Sequence, residues 1–245
     1  MINTAIIYSR TNSKRLKNKA LLNVYKKKSL IEKVVENTLK IKSIKKVILA
    51  TTKSKEDKIF EKILKKHEID FFYGSTNNLI QRTVECSKKY NFDYFLRVCG
   101  DRPIFSFSHI ESIISNINRN KSFKYDLISN NKKNKLVDQG LTIEIISSRS
   151  LEKIKFKKNL TKYNLENITS YYYQNEKKFK INHIKSPKNW FLNNKYTIDN
   201  NEDLKKIRLI ISKVGYNNFD IGEANRIIRK FNLWNIKFFF LIQIM

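Results

Sequence analysis

The stretch "NTAIIYSRTNSKRLKNK" (residues 3–19) joins a short apolar run to a loop dense in cations. Residues 3–8 have the composition of a buried β-strand, and residues 8–19 contain five Arg or Lys among twelve positions. Such a loop has three interpretations: a solvated surface turn, a contact for nucleic acid, or a site for a smaller polyanion such as a nucleoside triphosphate. A solvated turn is the commonest of these, so the loop indicates a function only if other polar groups lie beside it.

Apolar runs and amphipathic segments alternate regularly after this loop. Strands are predicted at 45–52, 69–74 and 92–98, and helices at 29–42, 54–67, 78–90 and 108–119. Beyond about residue 120 the alternation loosens, with strands predicted at 124–130, 141–147, 178–184 and 195–198 and helices at 161–175 and 201–214. Repeated strand–helix units predict an α/β fold with a mostly parallel mixed sheet, which binds ligands at the carboxyl ends of its strands.

The chain has 245 residues and a formal net charge of +28. One domain is expected over residues 1–230, followed by an apolar tail at 231–245. Lys, Asn and Ile are over-used along the whole chain rather than in one stripe. We therefore interpret the charge as compositional bias and expect no specific nucleic-acid partner.

The sequence contains no apolar run of 18 residues, so we predict no transmembrane segment, and the tail at 231–245 is too short to cross a bilayer. The two cysteines, Cys86 and Cys99, fit no disulfide or metal-binding spacing. Reduced thiols of this kind are typical of a cytoplasmic protein, which is the predicted location.

Four polar side chains of the opening loop are candidates for phosphate binding: Arg10, Ser13, Arg15 and Lys19. An Arg side chain forks onto phosphate oxygens, a Lys side chain acts as a point charge, and a Ser hydroxyl adds a hydrogen bond. The loop is not a P-loop, because it lacks the glycines and the Lys-Ser/Thr pair of that motif.

Carboxylates follow two of the predicted strands. Asp101 lies in "RVCGDRP" and Asp199 in "KYTIDNNEDL". Each could be only a turn or cap residue, but carboxylates at the same sheet edge as a phosphate-binding loop suit Mg²⁺, which binds through one or two carboxylates plus substrate phosphates. Glu144, within the apolar "GLTIEII", is either an edge residue or an inward-facing functional acid.

The opening loop, "YSRTNSKRLKNKALL", resembles the signature loop of the cytidylyltransferases that make CMP-activated acidic sugars, a family that includes the CMP-Kdo and CMP-sialic acid synthetases. The spore coat polysaccharide biosynthesis cytidylyltransferase group is the most similar. Its motif positions are held here by Arg10, Ser13, Arg15, Leu16, Lys19, Leu21 and Leu22. The resemblance extends from about residue 3 to residue 212, through "ILATTKSKEDKIFEKI", "FYGSTNNLIQRTVECSKKYNFDYFLRVCGDRPIF", "DQGLTIEIISSRSLEKI", "NLENITSYYYQNEKKFKI" and "KYTIDNNEDLKKIRLI".

This resemblance implies a nucleotidyltransferase fold of the glycosyltransferase-A, Rossmann-like type. It implies that CMP is transferred from CTP to a sugar, expected to be acidic, with Mg²⁺ as cofactor and pyrophosphate as product, for surface polysaccharide or glycan biosynthesis. Carried over by position, it implies catalytic roles for Arg10, Lys19 and Asp101, substrate binding by Ser13, Arg15, Arg82 and Glu144, and metal binding by Asp101 and Asp199. It also implies a possible homodimer, with the Tyr-rich segment at 171–173 on its surface.

Several residues depart from the family pattern. Lys17 and Asn18 stand in place of the loop Pro-Gly, and Asn12 stands in place of a loop Gly. Asn77, Asn78 and Thr142 stand in place of acids, and Arg102, after the candidate metal ligand, replaces a residue that is usually Cys or Ser. The acids missing from the sugar side of the site leave the identity of the substrate undetermined. The first alternative is therefore a nucleotidyltransferase of the same fold that uses another nucleotide and another sugar. A degenerate, non-catalytic basic binding protein is the second. The joint retention of the loop cations and of both candidate metal ligands argues against that second alternative.

Overall fold

The computed structural model describes residues 1–13, 15–120, 123–132, 137–215 and 221–231. Residues 232–245 of the predicted apolar tail lie outside these ranges. The strands are β1 (Thr4–Tyr8), β2 (Asn23–Tyr25), β3 (Lys28–Ser29), β4 (Lys46–Thr52), β5 (Asp70–Gly74), β6 (Tyr94–Cys99), β7 (Leu127–Ser129), β8 (Glu144–Ser147) and β9 (Ile181–His183). The helices are α1 (Leu30–Leu39), α2 (Ile59–Leu64), α3 (Leu79–Tyr90), α4 (Phe107–Arg119), α5 (Ser148–Lys155), α6 (Lys162–Glu166), α7 (Ser170–Gln174), α8 (Asn201–Val214) and α9 (Ile221–Lys230).

Seven strands form one sheet in the order β5-β4-β1-β6-β8-β7-β9, and β2 pairs with β3 in a separate hairpin. The first four strands of this order are parallel to one another. Strand β8 runs antiparallel to β6 and to β7, while β9 is parallel to β7. The prediction of an α/β fold with a mostly parallel mixed sheet is therefore confirmed.

Helices cover both faces of the sheet, which is why β1 and β4 are apolar without alternation. One core layer joins side chains such as Ile7 and Leu49 to α1, α4 and α8. The other joins Ile6 and Ile48 to α3, α5 and α7. The carboxyl ends of β1 and β6 remain uncovered by these helices and form the floor of a cleft.

Helix α1 begins as its sequence predicts. The Ser29 side chain accepts a hydrogen bond from the Glu32 backbone N–H, and the Glu32 carboxylate accepts one from the Ser29 backbone N–H at 2.9 Å. The helix predicted at 54–67 is shorter, because residues Lys55–Lys58 form a 3₁₀ turn before α2 begins. That turn carries Asp57 into the interior, where it is 1% exposed.

The second half of the chain differs more from prediction. The helix predicted at 161–175 is two short helices, α6 and α7, joined by Asn167–Thr169. Tyr171 and Tyr172 pack in the core of the same chain, so the prediction that this Tyr-rich segment is a dimer surface is wrong for those two side chains. A homodimer itself stays a prediction.

The prediction of a strand at 195–198 is also wrong. Residues 195–198 are an extended connection with a single bridge between Lys195 and Gln139. The Ile198 backbone N–H donates to the Asp101 carbonyl at 3.1 Å, and this bond brings the next residue, Asp199, beside the end of β6. Among the described residues, none of the helices combines the length and the apolar character needed to cross a membrane.

Candidate active site

A cavity of about 590 Å³ opens at the carboxyl ends of β1 and β6, within the usual size range of small-molecule sites. Its walls come from the opening loop, from the start of α3, from the end of β6 and from the α6–α7 junction. Every loop residue predicted to bind phosphate lines it: Arg10, Ser13, Arg15 and Lys19. Arg82 and Asp101 line it as well.

Gly100 sets the approach between β6 and the opening loop. Its backbone N–H donates to the Tyr8 carbonyl at 2.8 Å. A Cβ atom at this position would lie 2.7 Å from the same carbonyl oxygen and 2.8 Å from the Ser9 Cβ, both closer than real side chains allow. Glycine therefore permits the contact that brings Asp101 opposite the loop.

Asn18 takes over the conformation expected of the missing loop glycine. Its φ is +52°, in the left-handed region that Asn tolerates better than most residues. A short 3₁₀ turn, Lys19–Leu21, follows it directly. The turn directs the Lys19 side chain at the end of β6.

Lys19 joins the two predicted metal ligands. Its Nζ lies 3.1 Å from Asp101 Oδ2 and 3.3 Å from Asp199 Oδ1. Both carboxylates thus converge on one ammonium group, and their sharing of a metal ion stays a prediction. Among the described ranges, His, Cys, Asp and Glu form no cluster of three or more that could bind a metal.

Asp199 contacts two further cations. Arg15 lies 2.8 Å from Asp199 Oδ1, and Lys195 lies 3.2 Å from Asp199 Oδ2 and also pairs with Asp203. Burial alone would raise the pKa of the Asp199 carboxyl, but Lys19, Lys195 and Arg15 outweigh it and lower the pKa. Sequence reasoning missed Lys195, whose only signal was its position four residues before a candidate ligand.

Arg82 is largely buried, and its guanidinium is occupied by the backbone. Its Nε and Nη2 atoms donate to the Ser75 carbonyl at 2.8 and 2.6 Å. Burial lowers the pKa of Arg82. The side chain thus fixes the turn between β5 and α3 while it lines the cavity, and its predicted substrate contact stays a prediction.

The sequence left two alternatives for Glu144, an edge residue or an inward-facing acid, and the structure shows that it faces inward. It is 3% exposed, forms an ion pair with Arg97 on β6, and accepts a hydrogen bond from the Tyr173 hydroxyl at 3.0 Å. Glu144 does not line the cavity, whereas Arg97 does. Sequence reasoning missed Arg97, although a cation within the apolar "FDYFLRV" was a usable signal.

Asp57 anchors the start of the opening loop. Its Oδ1 atom accepts hydrogen bonds from the Thr11 N–H and hydroxyl at 2.8 and 2.7 Å. Its Oδ2 atom accepts from the Thr51 hydroxyl at 2.7 Å and from the Thr52 hydroxyl at 2.6 Å. These bonds tie the loop after β1 to the end of β4, a link that no local sequence pattern predicts.

The strand order, with cations and carboxylates at the carboxyl edge, defines an α/β protein that binds its ligand at that edge of the sheet. The family model for cytidylyltransferases matches residues 4–233. The chain therefore belongs to the cytidylyltransferase family and is a CTP-dependent nucleotidyltransferase.

Individual proteins are similar to this chain over most of its length. An uncharacterised protein of Methanocaldococcus jannaschii is 32% identical over 182 residues, which is 74% of this chain and 71% of that protein. The structure of a cytidylyltransferase from Leptospira borgpetersenii serovar Hardjo-bovis superimposes with a TM-score of 0.83 at 26% identity, covering 94% of both chains. The structure of a CMP:2-keto-3-deoxy-manno-octonic acid synthetase complexed with CTP has a TM-score of 0.62 at 15% identity, covering 86% of this chain and 99% of that one, and shows the shared fold.

Proposed function

We propose that this enzyme transfers CMP from CTP to a hydroxyl group of a sugar, an acidic sugar by family resemblance, and releases pyrophosphate. The product would supply surface polysaccharide or glycan biosynthesis. The observation that carries the proposal is that Lys19, which lines the cavity together with the arginines of the opening loop, contacts both Asp101 and Asp199.

In this proposal the opening loop binds the triphosphate. Arg10 and Arg15 are exposed at the cavity, and Ser13 lies between them. Arg15 and Lys19 contact carboxylates, and they would exchange these partners for phosphate oxygens when CTP binds. Transfer to the α-phosphate then depends on alignment and charge neutralisation rather than on a protein nucleophile.

Asp101 and Asp199 are the residues that would hold Mg²⁺. The fit is supported by their common contact with Lys19, which shows that a positive charge is already accommodated between the two carboxylates. Two carboxylates combined with substrate phosphates are an ordinary ligand set for this ion. When bound, Mg²⁺ would neutralise phosphate charge and favour departure of pyrophosphate.

The cavity has two further groups of lining residues. Thr76, Asn77 and Arg82 line it between β5 and α3 and on α3 itself, and residues 165–167 line it at the end of α6, a helix that packs against α3. The parallel half, with β4 and β5, has the arrangement typical of nucleotide binding, so we assign that side to the nucleoside. The acceptor sugar would then lie against Leu165–Asn167.

The test is pyrophosphate release measured with each of the four nucleoside triphosphates, Mg²⁺ and a panel of acidic and neutral sugars. We expect release with CTP and at least one acidic sugar, and none when either is omitted. Release with another triphosphate alone would contradict the assignment of CTP. Release only with neutral sugars would contradict the acidic acceptor.

A further inference from the structure

A basic stretch with two exposed aromatic side chains lies between α5 and α6. Residues 153–163, "KIKFKKNLTKY", cover the end of α5, a short connection and the start of α6, and we call them the basic connection. Five of these eleven residues are Lys and none is acidic, whereas Lys and Arg together make up 50 of the 245 residues of the chain. The basic connection is therefore richer in cations than the chain as a whole, and it lies outside the cavity lining.

The lysines of the basic connection have no acidic partners. Among the described residues, no ion pair involves any of the five, and the neighbouring carboxylate of Glu152 is paired with Lys88 on α3. The opening loop differs, because its cations contact carboxylates beside the cavity. The positive charge of the basic connection is thus available to attract an anionic partner.

Phe156 and Tyr163 stand near the two ends of the basic connection, and most of each residue is in contact with solvent. Their exposed fractions are 71% and 61%. Among the described residues, only two other large hydrophobic side chains, Met1 and Leu39, are exposed. A single exposed apolar side chain is ordinary, but two aromatic rings set among unpaired lysines favour a binding surface.

Local hydrogen bonds and one core contact hold the backbone of the basic connection. The Lys157 backbone N–H donates to the Ile154 carbonyl at 2.9 Å, which closes the end of α5. Thr161 and Asn164 form a capping box at the start of α6. Between these two points, Leu160 packs against the core layer that contains α3, α5 and α7. The exposed side chains are therefore presented on an ordered backbone, which lowers the entropic cost of binding.

This combination of side chains suits the surface of an anionic membrane. Aromatic rings settle at the level of the lipid headgroups, and Lys side chains extend their ammonium groups toward the phosphates. Each Lys beside an anionic bilayer strengthens binding about fivefold. Single-stranded nucleic acid also binds Lys and aromatic side chains, but it stacks its bases on free ring faces. The Lys155 ammonium covers one face of the Phe156 ring, 5.7 Å from the ring centroid, so the membrane is the better match.

We propose that the basic connection binds the surface of an anionic membrane. The exposed side chains of Lys157, Lys158 and Lys162 would contact the lipid headgroups, and the rings of Phe156 and Tyr163 would enter the headgroup region. Binding would be reversible, because a few side chains bury far less apolar surface than a spanning helix. This surface is separate from the cavity, so it does not depend on which nucleotide or sugar the enzyme uses.

The test measures how the full chain partitions onto sedimented vesicles at about 0.1 M salt. Vesicles of phosphatidylcholine alone are compared with vesicles in which about one lipid in three is phosphatidylserine. One variant removes the charge of the surface and another removes its rings: Lys157→Gln/Lys158→Gln/Lys162→Gln and Phe156→Ser/Tyr163→Ser.

Two control variants make matched changes on the other face of the sheet, where α1 and α2 pack. The charge control changes three exposed lysines in or beside α2: Lys58→Gln/Lys62→Gln/Lys65→Gln. The apolar control is Leu39→Ser, at the exposed end of α1. Urea unfolding of every variant checks that these surface substitutions leave the fold intact.

We expect the wild type to bind the phosphatidylserine vesicles at least about tenfold more tightly than the neutral ones. The lysine variant should weaken this binding by about 10- to 100-fold, and the aromatic variant should weaken it by at least about fivefold. Both controls should stay within about threefold of the wild type, because cations more than a Debye length from the bilayer are screened.

Equal binding of the wild type to both kinds of vesicle would overturn the proposal, and so would a lysine or aromatic variant that binds vesicles as tightly as its control. The same proteins are also titrated with a single-stranded oligonucleotide. Variants that lose oligonucleotide binding but keep vesicle binding would overturn the membrane assignment and assign the basic connection to nucleic acid.

Discussion

At the scale of single residues, the cations and carboxylates at the centre of the site balance one another. Lys19, Arg15 and Lys195 face Asp101 and Asp199, with Asp203 completing three pairs of charges. This balance lets the site assemble before CTP arrives, because no charge is left buried alone. Arg10, exposed at the mouth of the cavity, adds positive charge for the incoming triphosphate.

Asp101→Asn should reduce turnover at least ~100-fold while the free energy of unfolding changes by less than about 1 kcal/mol. The Asp101 side chain is 28% exposed and makes no core contact, so its charge matters for the substrate complex rather than for folding. Pyrophosphate release and urea unfolding test this. A variant that unfolds readily, or one that keeps wild-type turnover, would contradict the assignment.

Lys19→Ala should raise the KM for CTP and lower kcat together, with kcat/KM falling by ~100- to 1,000-fold. The reason is that its ammonium acts on phosphate charge that increases during transfer. Steady-state kinetics with varied CTP measure both parameters. Lys17→Ala is a suitable control, because it removes a neighbouring loop cation that is not in the cavity lining, and it should change both values by less than about threefold.

At the scale of elements, the opening loop is positioned by a buried anchor rather than by glycines. Asp57 receives hydrogen bonds from Thr11 on the loop and from Thr51 and Thr52 at the end of β4. Asn18 supplies the left-handed turn on the other side of the loop. A loop with fixed ends can keep its cations directed at one point even though its family Pro-Gly is missing.

Asp57→Ala should lower the free energy of unfolding by about 3 kcal/mol, because several buried donors lose their acceptor. It should also raise the KM for CTP, because Thr11 leads directly into the cavity-lining part of the loop. Thr51→Val is the matched control: it removes one bond on the strand side only and should cost about 1 kcal/mol without a change in that KM. Equal KM values in all three proteins would contradict the anchoring role.

The same anchor predicts a dependence of stability on pH. Burial alone would raise the pKa of the Asp57 carboxyl, but hydrogen bonds from Thr11, Thr51 and Thr52 outweigh it and lower the pKa. Because the pKa is lower in the folded state, ionised Asp57 stabilises the fold fully at pH values above its unfolded-state pKa of about 3.9. This stabilisation is lost as the pH falls through the folded-state pKa. Asp57→Asn should therefore be less stable than wild type at pH 6, with the difference shrinking below about pH 4. A constant difference across this range would contradict the prediction.

Local patterns predicted the elements that depend on local chemistry. The Ser29–Glu32 capping box and the strand–helix alternation of the first half follow from spacing alone, and both are present. Asp199 was assigned to the correct edge for the wrong reason, since a backbone bond from Ile198 positions it instead of a strand. Arg97 was missed because a tertiary contact brings it to Glu144, and no sequence spacing records that contact. Lys195 was missed although it lies only four residues before its partner Asp199.

At the scale of the whole molecule, the cations that give the net charge of +28 are spread along the whole sequence. Some of the surface lysines are already paired with carboxylates, as Lys46 is with Asp70 and Lys88 with Glu152. Among the described residues, Arg15 and Lys19 of the cavity lining converge on the carboxylates of Asp101 and Asp199. A cavity of this kind suits a small polyanion better than an extended nucleic acid.

Nucleic-acid binding should therefore be weak, independent of base sequence, and lost near physiological salt. Diffuse lysines contribute only the release of counterions, and that contribution falls steeply between about 0.05 and 0.2 M salt. Fluorescence anisotropy with two duplexes of unrelated sequence, at both salt concentrations and with and without CTP, measures this. We expect similar weak binding to the two duplexes at low salt and none at about 0.2 M. A complex that survives at the higher salt, prefers one duplex and is displaced by CTP would mean that the cavity cations bind nucleic acid, and the enzymatic interpretation of the opening loop would have to be revised.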